Sequence, residues 1–232
     1  MRWNRKWLVL TFVPAFLGMA PGIQEPAWRS TRIADPGQHR RKGPQNYPHR
    51  AEPHLGFLLR ELDVRPGDVV ADVGAGDGFW TAQIAPLVGP EGTVWAAEVA
   101  QNLVDKLAAR FAGTPQVKAR LIPADRLDLP EGTLDLALFS LVYHHLPEDR
   151  AGYLRRLRPL FKPTGRLAVV ERYSVLLSGP KVHGAPASAL LGAAEAAGWV
   201  LLRFELLPGT NHYLALFAQK DLFDEDGSGK GP

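Results

Sequence analysis

Apolar residues recur along this chain at two spacings, and the two alternate. Leu55, Leu58, Leu59 and Leu62 keep a helical period and predict a helix over 52–62. The turn Val64-Arg65-Pro66-Gly67-Asp68 leads into a short β-branched run, 68–73. Further helical segments are predicted over 79–87, 101–111 (Leu103, Leu107 and Phe111 in step), 147–160 with Pro147 in its first turn, and 185–197 closed by Gly198. Strands are predicted over 92–99, 117–123, 134–141, 165–170, 199–206 and 212–219, the last two joined by Leu207-Pro208-Gly209-Thr210-Asn211 as a closing antiparallel pair. Strands that alternate with helices imply βαβ units. The fold class is therefore α/β: one doubly wound domain over 51–220, with a mostly parallel seven-stranded sheet and a closing antiparallel strand. In such a sheet ligands sit beyond the carboxyl ends of the strands, here near Val73, Val99, Leu141 and Val170.

The first 50 residues break this pattern. Arg2, Arg5 and Lys6 precede an apolar run, Trp7 to Ala20, of about 14 residues, short of the roughly 20 that span a bilayer. A basic start, a short apolar stretch and small residues near Gly18-Met19-Ala20 read as a signal peptide, with an uncleaved membrane anchor as the alternative. Export or membrane association follows from either, and a cytoplasmic protein remains the other option. Residues 21–50 are rich in Pro, Gly, Arg and His and read as a linker whose end supplies a lid; 221–232 read as a disordered tail.

Charge divides along the same boundary. Residues 1–50 hold nine Lys/Arg and two Asp/Glu, which leaves 18 against 22 for 51–232, a net charge near −4. The folded part thus has no basic excess for a phosphate backbone, which argues against a nucleic-acid partner. The chain has no cysteine, so disulfides, thiolate metal sites and cysteine nucleophiles are excluded. No metal site is expected.

The densest chemical signal is Val69-Val70-Ala71-Asp72-Val73-Gly74-Ala75-Gly76-Asp77-Gly78. A strand runs into three glycines and then a helix, so backbone can approach a ligand closely and helix N–H groups face it. The dinucleotide fingerprint wants Gly or Ala at its sixth position, where this chain has Phe79. Asp72 and Asp77 oppose a phosphate and suit a cationic ligand end. The turn reads as a seat for an adenosine that carries an amino acid and no pyrophosphate.

That stretch resembles motif I of the class I, Rossmann-like S-adenosylmethionine-dependent methyltransferases, and the resemblance continues in order over about residues 50–220. It implies S-adenosylmethionine as cofactor, held by Asp72, Gly74, Ala75, Gly76, Asp77 and Gly78. It places Glu98 on the ribose hydroxyls and Asp125 on the adenine amino group. Leu134 to Leu146 resembles motif IV and its continuation and adds Ser140. Leu160 to Glu171 resembles the segment that enters strand five. The branch most similar is the small-molecule, ubiquinone-biosynthesis-like one, which implies a small-molecule methyl acceptor.

If that acceptor must lose a proton, a base is needed. His144 and His145 at the end of strand four come first, and Glu171 at the end of strand five second. Tyr143 stands beside the histidine pair. His183, in a substrate-covering loop, and Tyr47, His49 and Arg50, in the lid, are further candidates. The missing cysteines disfavour arsenite as acceptor, and the missing Pro-Pro-Tyr motif after strand four disfavours adenine and glutamine amides. A binder of S-adenosylmethionine or S-adenosylhomocysteine without catalysis, and an NAD(P)-dependent oxidoreductase, are the alternatives. Oligomeric state is not legible.

Overall fold

In the computed structural model, residues 54–173 and 184–223 are described. The signal-like segment, the linker with Tyr47, His49 and Arg50, the loop with His183 and the tail beyond 223 lie outside them. The helices are α1 (Leu55–Leu62), α2 (Phe79–Val88), α3 (Gln101–Arg110), α4 (Arg150–Leu157) and α5 (Ala187–Ala196). The strands are β1 (Val69–Val73), β2 (Thr93–Glu98), β3 (Val117–Leu121), β4 (Leu134–Ser140), β5 (Phe161–Arg172), β6 (Trp199–Leu206) and β7 (His212–Gln219). They form one sheet in the order β3-β2-β1-β4-β5-β7-β6.

The first five strands are parallel, and β7 is antiparallel to β5 and β6. The closing strand therefore does not extend the sheet at its edge. It folds back through a turn at Gly209, with φ 73°, into the slot between β5 and β6. That slot exists because the β5–α5–β6 crossover skips one strand position.

Successive side chains of a strand point to opposite faces, and both faces are covered. Val70, Val94, Leu136, Leu138, Ala168, Val170, Leu214 and Leu216 pack with α1 and α2. Ala71, Val73, Ala137, Phe139, Leu167, Val169 and Phe217 pack with α4 and α5. β4 is apolar almost throughout because it is buried on both faces. Its one acid, Asp135, is tied at both oxygens: Val69 N–H donates to Oδ2 at 2.9 Å, and Lys162 Nζ donates to Oδ1 at 2.8 Å and to Oδ2 at 2.7 Å. This pins the starts of β1, β4 and β5 together.

Boundaries moved where side chains decide them. The helix expected from 147 begins at Arg150, because Asp149 is its N-cap and accepts a hydrogen bond from Gly152 N–H at 2.8 Å. It ends at Leu157, and Arg158–Leu160 continue as one 3₁₀ turn, since Pro159 has no N–H to donate. β5 starts four residues earlier than expected and takes up the extra length in a register shift against Leu134 and Leu136. At the end of the described residues Lys220–Leu222 form a 3₁₀ turn, and Asp221 is paired with Arg158 at 2.6 Å. No helix among the described residues is long and apolar enough to cross a membrane.

The cap assignment is testable by urea unfolding. Asp149→Ala should lose about 1 kcal/mol of stability. Pro147→Ala, outside the helix, should stay within about 0.5 kcal/mol of the parent.

Candidate active site

Strand order reverses between β1 and β4. An open α/β sheet takes its ligands at the carboxyl ends of such a strand pair, where the loops after β1 and β4 leave. After β1 the chain turns at Gly74, with φ 69°, and both Gly74 and Ala75 donate N–H to Ala97 O, at 2.8 and 3.1 Å. A Cβ on Gly74 would lie 2.4 Å from Val142 in the loop after β4. Gly78, with φ 83°, meets α3 in the same way: an added Cβ would lie 2.6 Å from the Phe111 ring and 2.9 Å from Leu107. The third glycine thus provides the close packing that a dinucleotide fold obtains from its sixth-position residue.

Asp72 shares a sheet face with Val70, and that face carries α2. It is 1% exposed, and its Oδ2 accepts both Thr81 N–H, at 2.9 Å, and Thr81 Oγ1–H, at 2.6 Å. The carboxylate read from sequence as a partner for a cationic ligand is thus engaged by α2 beneath the turn. Burial raises its pKa to about 6 against the two Thr81 hydrogen bonds, and the charges of Glu98 and Asp77 push the same way. Thr81 was not legible in advance; its signal is a hydroxyl in the first turn of the helix, three residues after the last glycine.

Glu98 ends β2 and closes over the turn. Its Oε1 accepts Gly76 N–H at 3.0 Å and its Oε2 accepts Val99 N–H at 2.8 Å. Asp77 accepts Phe79 N–H at 3.1 Å at the entry to α2, and its carbonyl accepts from the Arg110 guanidinium. Beside Glu98 the strand ends expose apolar surface: Val99 is 56% and Leu121 45% exposed. This pair was also missed; an aliphatic residue just after β2 and another at the last position of β3 are its only trace in the sequence. Asp125 follows in the loop after β3, exposed, with Arg126 3.6 Å away. Ser140, the last residue of β4, is half-buried opposite Val170 of β5.

Past β4 the backbone enters the left-handed region at Leu141, with φ 59°, where a branched side chain is strained. Leu141 N–H is held by Val170 O at 2.8 Å, and Tyr143–His145 then form a single 3₁₀ turn. Tyr143 is fully buried, its pKa raised by burial, and its hydroxyl reaches Ala189 O in α5 at 3.2 Å. His144 Nδ1 lies 2.8 Å from Glu171 Oε2, which also accepts His144 N–H at 3.2 Å. Arg172 N–H donates to Glu171 Oε1 at 2.6 Å. The His144 side chain is 10% exposed and that of Glu171 0%. His145 is exposed, with its ring centre 3.9 Å from that of His144. Two of the three expected bases are thus in direct contact. Among the described residues no three His, Cys, Asp or Glu side chains are grouped so as to hold a metal ion.

Residues 70–165 match a family described as a methyltransferase domain. The chain is 29% identical over 127 residues to the ubiquinone/menaquinone biosynthesis C-methyltransferase UbiE of Burkholderia mallei, a match over 53% of this chain and 50% of that protein. It spans about half, or less, of the length of the first curated relatives it matches. Among solved structures, a SAM-dependent methyltransferase from Aquifex aeolicus superposes with a TM-score of 0.65 at 24% identity, over 73% of this chain and 92% of that one. A second is the 1,6-didemethyltoxoflavin-N1-methyltransferase of Burkholderia thailandensis, solved with 1,6-didemethyltoxoflavin and S-adenosylhomocysteine bound. Its TM-score is 0.56 at 23% identity, over 75% and 78% of the two chains. These likenesses are of fold.

Asp72 makes stability depend on pH. Folded, it holds its proton up to about pH 6; an ordinary carboxyl releases it near 3.8. The stabilisation is complete below about pH 4 and is lost as pH rises through about 6, in total about 3 kcal/mol. Both Thr81 bonds go to one oxygen, so Asp72→Asn keeps an acceptor for them and stays neutral. In urea unfolding, the stability of Asp72→Asn minus that of the parent should grow by about 3 kcal/mol between pH 4 and 7. A constant difference would contradict this account.

Proposed function

We propose that this chain is a class I S-adenosylmethionine-dependent methyltransferase that moves a methyl group to a small-molecule acceptor bound beside the loop after β4. The observation that carries the reading is Glu98. Its carboxylate is fixed over the glycine turn by Gly76 N–H, at the strand end where the exposed apolar surface of Val99 and Leu121 begins. A carboxylate offers about four lone-pair sites, and Gly76 and Val99 use two. The remaining two suit a vicinal diol, and the apolar shelf suits a flat nucleobase. These residues fit S-adenosylmethionine, which supplies an electrophilic methyl group on a sulfonium.

In this reading the chain contributes mainly alignment and a dry, fixed surface. The turn Gly74–Gly78, with Ala75 in it, presents backbone to the cofactor; Asp77, Asp125 and Ser140 line its rim. Asp72 acts as a positioning residue. It holds α2 against the turn, and its charge, with those of Glu98 and Asp77, favours a ligand that carries positive charge. The fit to S-adenosylmethionine displaces the NAD(P) alternative.

The apolar run 7–20 favours a second arrangement, in which the domain is exported or tethered to a membrane and binds S-adenosylhomocysteine or S-adenosylmethionine without turnover. Mass spectrometry of the mature amino terminus in each cell fraction separates the two. An intact Met1 in the cytosolic fraction removes export.

Isothermal calorimetry with S-adenosylhomocysteine tests the site. Glu98→Ala should weaken binding by about 10- to 150-fold, the loss of hydrogen bonds to a charged group worth about 1.5–3 kcal/mol. Its circular dichroism spectrum should match the parent's. Parent-like affinity in that variant would remove Glu98 from the binding site.

A further inference from the structure

We infer that β6 is the interface of a two-fold symmetric dimer, in which this edge of one chain's sheet pairs antiparallel with the same edge of a second copy, about an axis at Phe204. The inference goes beyond the methyl-transfer reading and does not depend on it.

Among the described residues the sheet ends at β3 on one side and at β6 on the other. An end strand presents a row of N–H and C=O groups to any chain that can pair with it, and charged side chains are one way to block such pairing. β3 is blocked in this way. Its exposed Lys118 and Arg120 flank Ala119, so a second β3 laid antiparallel about Ala119 would set Lys118 against Arg120. β6 is not blocked. Leu202 is 46% and Leu206 58% exposed, on a strand that pairs only with β7.

The side chains of β6 are complementary to a second β6. Leu202-Arg203-Phe204-Glu205-Leu206 reads alike in both directions once a cation is matched to an anion. In an antiparallel pair related by a two-fold axis, residues equally far from the axis face one another. With the axis at Phe204, Leu202 meets the partner's Leu206 and Arg203 meets the partner's Glu205, and each contact occurs twice. The Arg203 and Glu205 side chains are both 43% exposed, so a second chain can reach them. The two kinds of contact belong to opposite faces of the sheet. Phe204 stacks near Tyr213, with ring centres 5.3 Å apart, whereas Arg203 lies over Phe57 and 2.8 Å from Glu61 of α1.

The backbone selects the same axis. Leu207 N–H donates to His212 O at 2.9 Å. Bonds alternate along an antiparallel pair, so Arg203 and Glu205, in step with Leu207, turn their amides to β7, and Phe204 and Leu206 turn theirs outward. Two Phe204 residues on the axis can then exchange both N–H···O bonds. An axis at Arg203 or Glu205 would bring together residues whose amides serve β7. The register shift between Leu201 and Arg203 bounds the regular run at its near end. Such pairing consumes both β6 edges, so the assembly closes at two chains. β6 stands three positions from β4 in the sheet, which leaves the strand ends of β1 and β4 clear.

Sedimentation velocity on the full chain, over a concentration series up to about 100 µM, tests the interface. The parent should form a dimer. Arg203→Glu or Glu205→Arg alone sets like charges opposite each other at both cross-pairs and should weaken the dimer about 10-fold or more. An equimolar mixture of the two variants should associate again, because every cross-pair then joins opposite charges; a loss of folding in either variant cannot produce that rescue. Leu206→Lys, which sets a charge against the partner's Leu202, should weaken the dimer as well. If Arg203→Glu gives no folded circular dichroism spectrum after losing Glu61, Glu205→Arg and Leu206→Lys carry the test. A parent that sediments as a single chain throughout overturns the inference. So does a dimer or larger assembly unmoved by Glu205→Arg and Leu206→Lys, or a mixture of folded charge variants that stays monomeric. Affinity for S-adenosylhomocysteine should be the same in every variant, so failure of the cofactor site and failure of this interface are read separately.

Discussion

Where the strand order reverses, the loop after β1 and the loop after β4 pass so close that no Cβ fits between them. Gly74 is the residue that allows this, with Val142 occupying the space its side chain would fill. The contact decides more than the shape of one turn. It fixes Val142, which sits between the strained Leu141 and the 3₁₀ turn that carries Tyr143 and His144. The glycine turn and the histidine are therefore placed by one steric constraint, although about 70 residues separate them. A side chain at position 74 would have to adopt φ 69° and displace Val142 together.

Three carboxylates stand at strand ends around this contact, and each is used differently. Asp72 faces α2 and is buried among other negative charges. There desolvation outweighs two hydrogen bonds, and its pKa rises to about 6. Glu98 faces the same side two positions further along the neighbouring register, where it reaches backbone amides of the turn and of Val99. Glu171 lies on the opposite face, with Leu167 and Val169, and takes its amides from β5 and from the loop after β4. Strand parity alone thus separates the acids that serve the glycine turn from the one that serves the histidine.

Much of this was legible because it is periodic or backbone-driven. The strands, the helices and the parallel sheet follow from spacing; the turn follows from three glycines at alternate positions. What was not legible depends on partners distant in sequence. Asp149 rather than Pro147 starts α4, because a cap is set by one side-chain hydrogen bond and not by a pattern. Asp72 reads as an acid near a ligand, yet its parity with Val70 turns it toward α2, where Thr81 meets it. Val99 and Leu121 look like ordinary strand residues until the sheet shows how far they are exposed. His144 and Glu171 were each legible as candidate bases, but their contact spans 27 residues of sequence and no local pattern announces it.

The surroundings of Glu171 follow from where β7 joins the sheet. Had β7 joined the sheet at its edge, it would not have lined β5, and the far side of Glu171 would have stayed open. Instead β7 is inserted beside β5, with Tyr213 directly opposite Glu171 in the register. Tyr213 is itself fully buried, and burial together with the Glu171 charge pushes its pKa upward, so its hydroxyl keeps its proton. With β4 on one side and β7 on the other, Glu171 is fully buried, and among the described residues its carboxyl group accepts from Arg172 N–H and His144 N–H and lies 2.8 Å from His144 Nδ1. An exposed glutamate in the same place could take a proton from an acceptor. Beside β7, Glu171 is buried with His144 against it, and so the position of the last strand in the sheet sets the surroundings of this pair.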